Sequence, residues 1–202
     1  MNVREMLKAA ARGAALAVMS PALASFAIRA RLDSRDRALQ STSEWLALLP
    51  GLSGQYLRRA FYGRALAHCH HTVVIEAGTV FSRAGARLDE HAYIGAGCRL
   101  GLVHVERNAL LASGVHIPSG ANTHLVDDVT KPIREQGRGE QLVRIGAGSW
   151  IGEGALVMAD VSRDAVVGGG AVVTRPIPAW CIAAGVPARV LRRRGERPAM
   201  VV

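Results

Sequence analysis

Aliphatic residues recur about every six positions through the second half of this chain, with glycine and polar residues filling the intervals. The clearest stretch runs Ile145-Gly-Ala-Gly-Ser-Trp, Ile151-Gly-Glu-Gly-Ala-Leu, Val157, and after one shortened step it resumes at Val161, Val167 and Val173. Upstream the same beat falls on Ile75, Phe81, Leu88, Ile94, Leu100, Val105, Leu111 and Ile117, with steps of six, seven, six, six, five, six and six. A period of six fits neither the 3.6 of a helix nor the 2 of a simple strand. It predicts an all-β fold, a parallel β-helix of hexapeptide repeats in which each repeat forms one flat side of a coil. One aliphatic per side points inward. Four positions later a small residue (Ser149, Ala155, Ala165, Ala171) fits near the corner, and Cys98 fills the same slot after Ile94. Glycine suits the turns because it tolerates backbone angles that a Cβ forbids.

The beat fails in two places. From Ile117 to Ile145 the step is 28, filled by mainly polar sequence, predicting an extruded loop over 118–144. Long loops in compact domains usually carry function. Before the beat begins, residues 1–72 read as a separate helical segment, leaving 73–202 to the coils and a basic tail. The Leu48/Leu49/Leu52 cluster around Pro50-Gly51 predicts two short helices joined at a turn. Residues 1–31 have a basic start and an apolar run from Gly13 to Ile28 broken by Pro21. Signal peptide, membrane-surface helix and subunit-packing helix all fit that pattern; an ordinary spanning helix needs about 20 uninterrupted apolar residues. The coils are expected to stop at Pro176-Ile-Pro178, with the tail from Ala184 through Arg194 leaving the prism.

Composition adds direction. The 202 residues suffice for one domain with a sizeable core. Aromatics are 4%, which suits a prism filled with aliphatic stacks. A net charge of +9 favours anionic partners, yet no basic motif is interleaved with aromatics, so nucleic acid is not expected. Three cysteines make no disulfide framework. In the tract His68-Cys69-His70-His71, neighbours on a strand point to opposite faces, which disfavours one shared metal. Arg58 and Arg59 read either as a solvated face or as a phosphate contact.

Two coil blocks, a loop carrying a histidine, and the ending Val172-Val-Thr-Arg-Pro-Ile-Pro…Ala184-Gly-Val-Pro-Ala-Arg together resemble the hexapeptide-repeat acyltransferases. Leu48-Leu-Pro-Gly, Tyr56-Leu-Arg-Arg-Ala-Phe-Tyr and Thr123-His-Leu-Val-Asp-Asp resemble the members that acetylate sugars of surface polysaccharides. The resemblance covers about residues 72–194 and implies a left-handed coil, acetyl-CoA as acyl donor, no metal, a carbohydrate acceptor and a homotrimer. It implies that His124 is a general base, which suits imidazole because it titrates near neutral pH. His116 is the second candidate and a groove residue. Asp127 and Asp128 would orient His124 or bind sugar. Glu153 and Gly169 would line the pantetheine arm by their backbone, Thr174 and Arg175 would meet the nucleotide, and Arg189 and Arg192 its phosphates. Arginine suits phosphate because its guanidinium donates bidentately. Trp150 would cap the groove. A cytosolic donor implies a cytoplasmic enzyme, with membrane contact through residues 1–31. Two alternatives share the prism: a γ-type zinc carbonic anhydrase using His91, His116 and His124, and a non-catalytic scaffold. Hydroxyl and amine acceptors both remain open.

Overall fold

Every residue on the six-residue beat points into a three-sided prism, and each of the fourteen named above is 2% exposed or less. The computed structural model describes residues 3–196; the first two residues and residues 197–202 of the basic tail lie outside the described residues. The first face stacks His68–Cys69, Arg87–Leu88, Val103–Val105 and Val143–Ile145, continued by single bridges at Val161 and Ile177. On the second lie Val74–Ile75, Tyr93–Ile94, Leu110–Leu111, Trp150–Ile151, Val166–Val167 and Cys181–Ala184. Val80–Phe81, Arg99–Leu100, His116–Ile117, Leu156–Val157 and Val172–Val173 make the third. All of these pair in parallel, one coil above another. Burying one such aliphatic is worth roughly 1.5–3 kcal/mol, so the stack of inward residues holds the coil together.

Two corners are built differently. Between the first and second faces the left-handed position is held by His91, Asn108, Gly148, Asp164 and Trp180, with φ from 57° to 67°. Between the second and third faces it is glycine in every described coil from Gly78 through Gly97, Gly114, Gly154 and Gly170, with φ from 65° to 79°. Coils approach closely there: a Cβ on Gly152 would stand 2.5 Å from the Gly169 nitrogen.

Three helices cover the first coil. α1 spans Val3–Leu32, α2 Arg35–Ala47 and α3 Gly51–Ala65. The Pro-Gly turn joins α2 to α3, as the leucine pattern predicts. Ser34 caps α2 by accepting from the Arg37 N–H at 3.2 Å. Phe26, Phe61, Tyr62 and Phe81 form an aromatic chain from α1 through α3 to the first coil. The Ser43 hydroxyl accepts the Phe81 N–H at 2.8 Å and pairs with the Tyr62 hydroxyl at 2.6 Å, fixing α2 against the prism.

The structure corrects several expectations. α1 is not broken at Pro21. Proline cannot donate to the Ala17 carbonyl, and the Ser20 hydroxyl does so instead at 2.8 Å. Its stretch Met6–Leu32 is consequently long and apolar enough to cross a membrane by length and composition. Arg58 is neither solvated nor a phosphate contact: it is fully buried and donates to the carbonyls of Ile75, Leu46 and Leu49. The coils do not stop at Pro176–Pro178, because Ile177 still bridges Val161 and Cys181–Ala184 still joins the second face. Nor does the tail leave. Arg189–Arg193 turns back and pairs antiparallel with Cys181–Ala184. The loop closes at Val143 rather than after residue 144, since Val143 already pairs with Val103.

Candidate functional site

The hexapeptide beat sends the residue before each inward position outward, so the third face presents Val80, Arg99, His116, Leu156 and Val172 in a row. At its middle, where the extruded loop departs after Ile117, lies a groove of about 280 Å³. Ser82, Arg99, His116, Pro118 and Thr123 line it. His116 is exposed at its outer edge but partly desolvated on the groove side. Burial first, and the neighbouring Arg99 charge second, hold its pKa below the usual imidazole value. The neutral ring, which can accept a proton, is therefore favoured.

The loop is anchored at its base. Gln141 N–H donates to Ser119 at 2.8 Å, Gly139 N–H to Asn122 at 3.1 Å, and Leu125 N–H to Gly137 at 3.3 Å. His124 sits between the last two of these rungs, next after the groove residue Thr123, with its ring exposed. Among the described residues none hydrogen-bonds that ring. Arg83 clamps the returning arm by donating through Nε to Glu140 at 2.6 Å and through a second nitrogen to the other oxygen. Asp36 of α2 stands 3.8 Å from the same guanidinium.

The aspartates are differently placed from what the resemblance implies. Asp128 accepts from the Thr130 N–H at 3.0 Å, from the Thr130 hydroxyl and from Lys131, building the loop tip. Those hydrogen bonds, Thr130 first, hold its carboxyl below the usual aspartate range. It faces the tip turn rather than His124. Asp127 is exposed beside it.

The residues assigned to a cofactor frame the same third face. Glu153 and Gly169 occupy equivalent glycine-rich corners in successive coils, where the Gly170 N–H donates to the Glu153 carbonyl at 2.7 Å. A Cβ on Gly169 would meet that carbonyl at 3.3 Å, so the ridge is backbone-lined. Thr174 and Arg175 are exposed on the opposite edge, just past Val173. Gly185 and Ala188 extend the face beyond Val172 through bonds of 3.0 and 2.8 Å, which brings Arg189 to its end. Arg192 is not brought there; its guanidinium donates to the carbonyls of Arg193 and Glu196. Trp150 stands on the second face, half exposed, so within one chain it does not cap the groove.

Metal-type residues do not gather. His91 pairs with Glu90 at a far corner, away from His116 on the third face. In the histidine tract, the His70 and His71 rings meet tilted at 47° with centroids 4.2 Å apart, and burial pushes the Cys69 thiol up to about 12. Among the described residues no group of three metal-ligating side chains forms.

Sequence reasoning missed Arg99, Arg83 and Glu140. The signal for Arg99 was available, because it precedes an inward leucine one coil before His116. Arg83 and Glu140 are 57 residues apart and carried no local signal.

No protein-family model matches the chain. A probable acetyltransferase of Mycobacterium tuberculosis is 42% identical over 73 residues, covering 35% of this chain and 24% of that protein. A tetrahydropyridine-dicarboxylate N-acetyltransferase of Staphylococcus aureus is 34% identical over 94 residues, covering 46% of this chain and 32% of that protein. The chain thus spans about a quarter to a third of the curated relatives it matches. A galactoside acetyltransferase solved with coenzyme A superposes with a TM-score of 0.62 at 22% identity, over 78% of this chain and 80% of that one. In its repeat the chain is similar to these acetyltransferases over part of their length, and it shares the coiled β-helix fold of the galactoside acetyltransferase.

Proposed function

We propose that this protein transfers an acetyl group from acetyl-CoA to a hydroxyl of a sugar, with His124 as general base. One observation carries the reading: His124, His116, the glycine ridge and three of the four proposed nucleotide-end residues border a single face of the prism. Acetyl-CoA would supply an acetyl group activated as a thioester. The backbone of Glu153 and Gly169 suits its narrow arm, because the coils approach closely there and Gly169 carries no side chain. Arg175 and Arg189 supply charge for its phosphates, and His124 takes the proton of the acceptor hydroxyl as its oxygen becomes the nucleophile. A cytosolic donor would put the reaction in the cytoplasm, and the likeness of Thr123-His-Leu-Val-Asp-Asp to members that acetylate surface-polysaccharide sugars supports a sugar acceptor.

His116 gives a second reading. It lines the groove itself and is kept neutral by burial and Arg99. Single-turnover kinetics with a panel of glycosides and amines separates the two. General-base catalysis contributes about 10²–10⁴-fold, so His124→Ala should lower kcat by that order with donor affinity unchanged. If His124→Ala keeps wild-type kcat while His116→Ala loses it, His116 is the base. If neither substitution matters, the scaffold reading replaces both.

The second face supports assembly. Tyr93, Leu110 and Trp150 stack outward on it, each more than a third exposed. A cyclic homotrimer would cover this apolar row. Light scattering at micromolar concentration should give three times the chain mass; a monomer would overturn the assembly.

A further inference from the structure

The outer side of α1 has no use in acetyl transfer, and its chemistry is unusual for a surface helix. The inner side packs on α2 and α3 through Ala15, Met19 and Phe26. On the opposite side Val3, Leu7, Val18, Pro21, Ile28 and Leu32 are exposed at helical spacing. From Gly13 to Ile28 the helix carries no charged residue. Val18 and Leu32 are 65% and 81% exposed, which water does not favour over so long a stripe.

Cations line the other edge of the helix, where α1 meets α3. Two adjoining grooves run between α1 and α3. Arg12, Arg59 and Arg64 line the first, and Arg31, Arg35 and Arg64 line the second, so Arg64 joins them. Among the described residues no acidic side chain lines either groove. His71, in the first, reports the local field: burial first, then His70, Arg12 and Arg59, lower its pKa against the opposing Glu90.

We infer that α1 docks this protein onto a bilayer of anionic phospholipids, lying in the interface with its apolar stripe among the acyl chains and the arginine grooves on lipid phosphates. An apolar stripe beside a cationic flank is the pattern of an interfacial helix. Each basic residue near an anionic surface adds to binding, and five line one flank. The geometry argues against a spanning helix despite the length of Met6–Leu32. One side of α1 is committed to α2 and α3, and the Arg29 guanidinium donates to Ser41 and, at 2.6 Å, to Thr42. Spanning would either strip that side or draw the charged faces of α2 and α3 into hydrocarbon. This inference does not depend on the acetyl-transfer reading.

Co-sedimentation of the full chain with vesicles tests it. Binding to phosphatidylglycerol–phosphatidylcholine vesicles should exceed binding to pure phosphatidylcholine by tenfold or more and weaken with salt. Arg12→Glu/Arg31→Glu/Arg64→Glu should lose that preference. Val18→Asp/Ile28→Asp should lose the binding that survives high salt, with circular dichroism confirming that both variants fold. Equal partitioning into both vesicle types, or none, overturns the inference. So does full competition by millimolar glycerol phosphate, which would make the grooves sites for soluble phosphate. If the aspartate pair instead changes the oligomeric mass and leaves vesicle binding intact, the stripe belongs to a second copy and the inference fails.

Discussion

Arg58 and Arg59 are adjacent and chemically identical in sequence, yet only the first is buried to nothing. Arg58 donates to three carbonyls, at Ile75, Leu46 and Leu49, where α2, α3 and the first coil meet. Burial, its largest influence, lowers its pKa from the ordinary guanidinium value. Arg59 instead stacks 4.6 Å from the Tyr56 ring and reaches the Val73 carbonyl at 3.3 Å. Nothing in the local sequence distinguishes the two, because the difference is made by the Leu46 and Leu49 carbonyls, 12 and 9 positions earlier, and the Ile75 carbonyl, 17 later. Truncating Arg58 to alanine would leave the Ile75 and Leu49 carbonyls without this donor, at about 1–3 kcal/mol each, while Leu46 keeps the Leu49 N–H. Chemical unfolding should therefore show Arg58→Ala less stable by at least about 2 kcal/mol. His124 was more legible. Its place in a polar interruption marked it, although the rungs that hold it join residues up to 22 positions apart.

Among elements, the loop depends most on contacts that sequence conceals. Its limits could be read to within two residues from the aliphatic beat alone, but its anchoring rests on Arg83 and Glu140. Glu140 accepts from Arg83, and this bond, the largest influence, holds its carboxyl below the usual glutamate range. A folded value lower than the unfolded one stabilises fully above the ordinary glutamate pKa of about 4.3 and is lost as pH falls through the lowered value. The loop base should therefore stay closed at neutral pH and loosen only in acid. Hydrogen exchange at Gly139 and Gln141, taken as protection relative to the free-peptide rate at each pH, measures this: high at pH 7, falling below about pH 4. Glu140→Gln should bring fast exchange already at pH 7 and raise KM for the acceptor several-fold. Unchanged exchange in that variant would remove the clamp from the account. The helices were legible as elements, but the continuity of α1 through Pro21 was not, because proline in a helical run reads as a break and the Ser20 hydroxyl's bond to the Ala17 carbonyl leaves no mark in the pattern.

For the whole molecule, the prism was readable because one inward residue per side repeats the same physical demand fourteen times. Where the pattern changed from repeat to return, it misled. Ile177 follows Val173 by the same short step that separates Val161 from Val157, and Ala183 follows Ile177 by six, so the beat runs on through Pro176 and Pro178 with a small alanine as its last inward residue. That final turn has a further consequence. A stack of parallel coils is, in principle, extendable without limit, because each coil offers the next an unsatisfied row of peptide groups. Here both openings are sealed. At one, α2 supplies the Ala47 carbonyl to the Gly78 N–H at 2.8 Å, a position that a coil beneath would otherwise fill. At the other, Arg189–Arg193 runs backward along Cys181–Ala184 and presents side chains bearing positive charge. The reversal breaks the register that another coil would need, and the arginines repel a second copy approaching end-on. Deleting residues 186–196 should therefore turn a soluble, finite particle into one that polymerises along its axis. Sedimentation velocity would show an open series of lengthening species, and electron microscopy would show filaments one prism wide. A deletion variant that sediments as a single species would mean that the returning strand serves the last coil's stability alone.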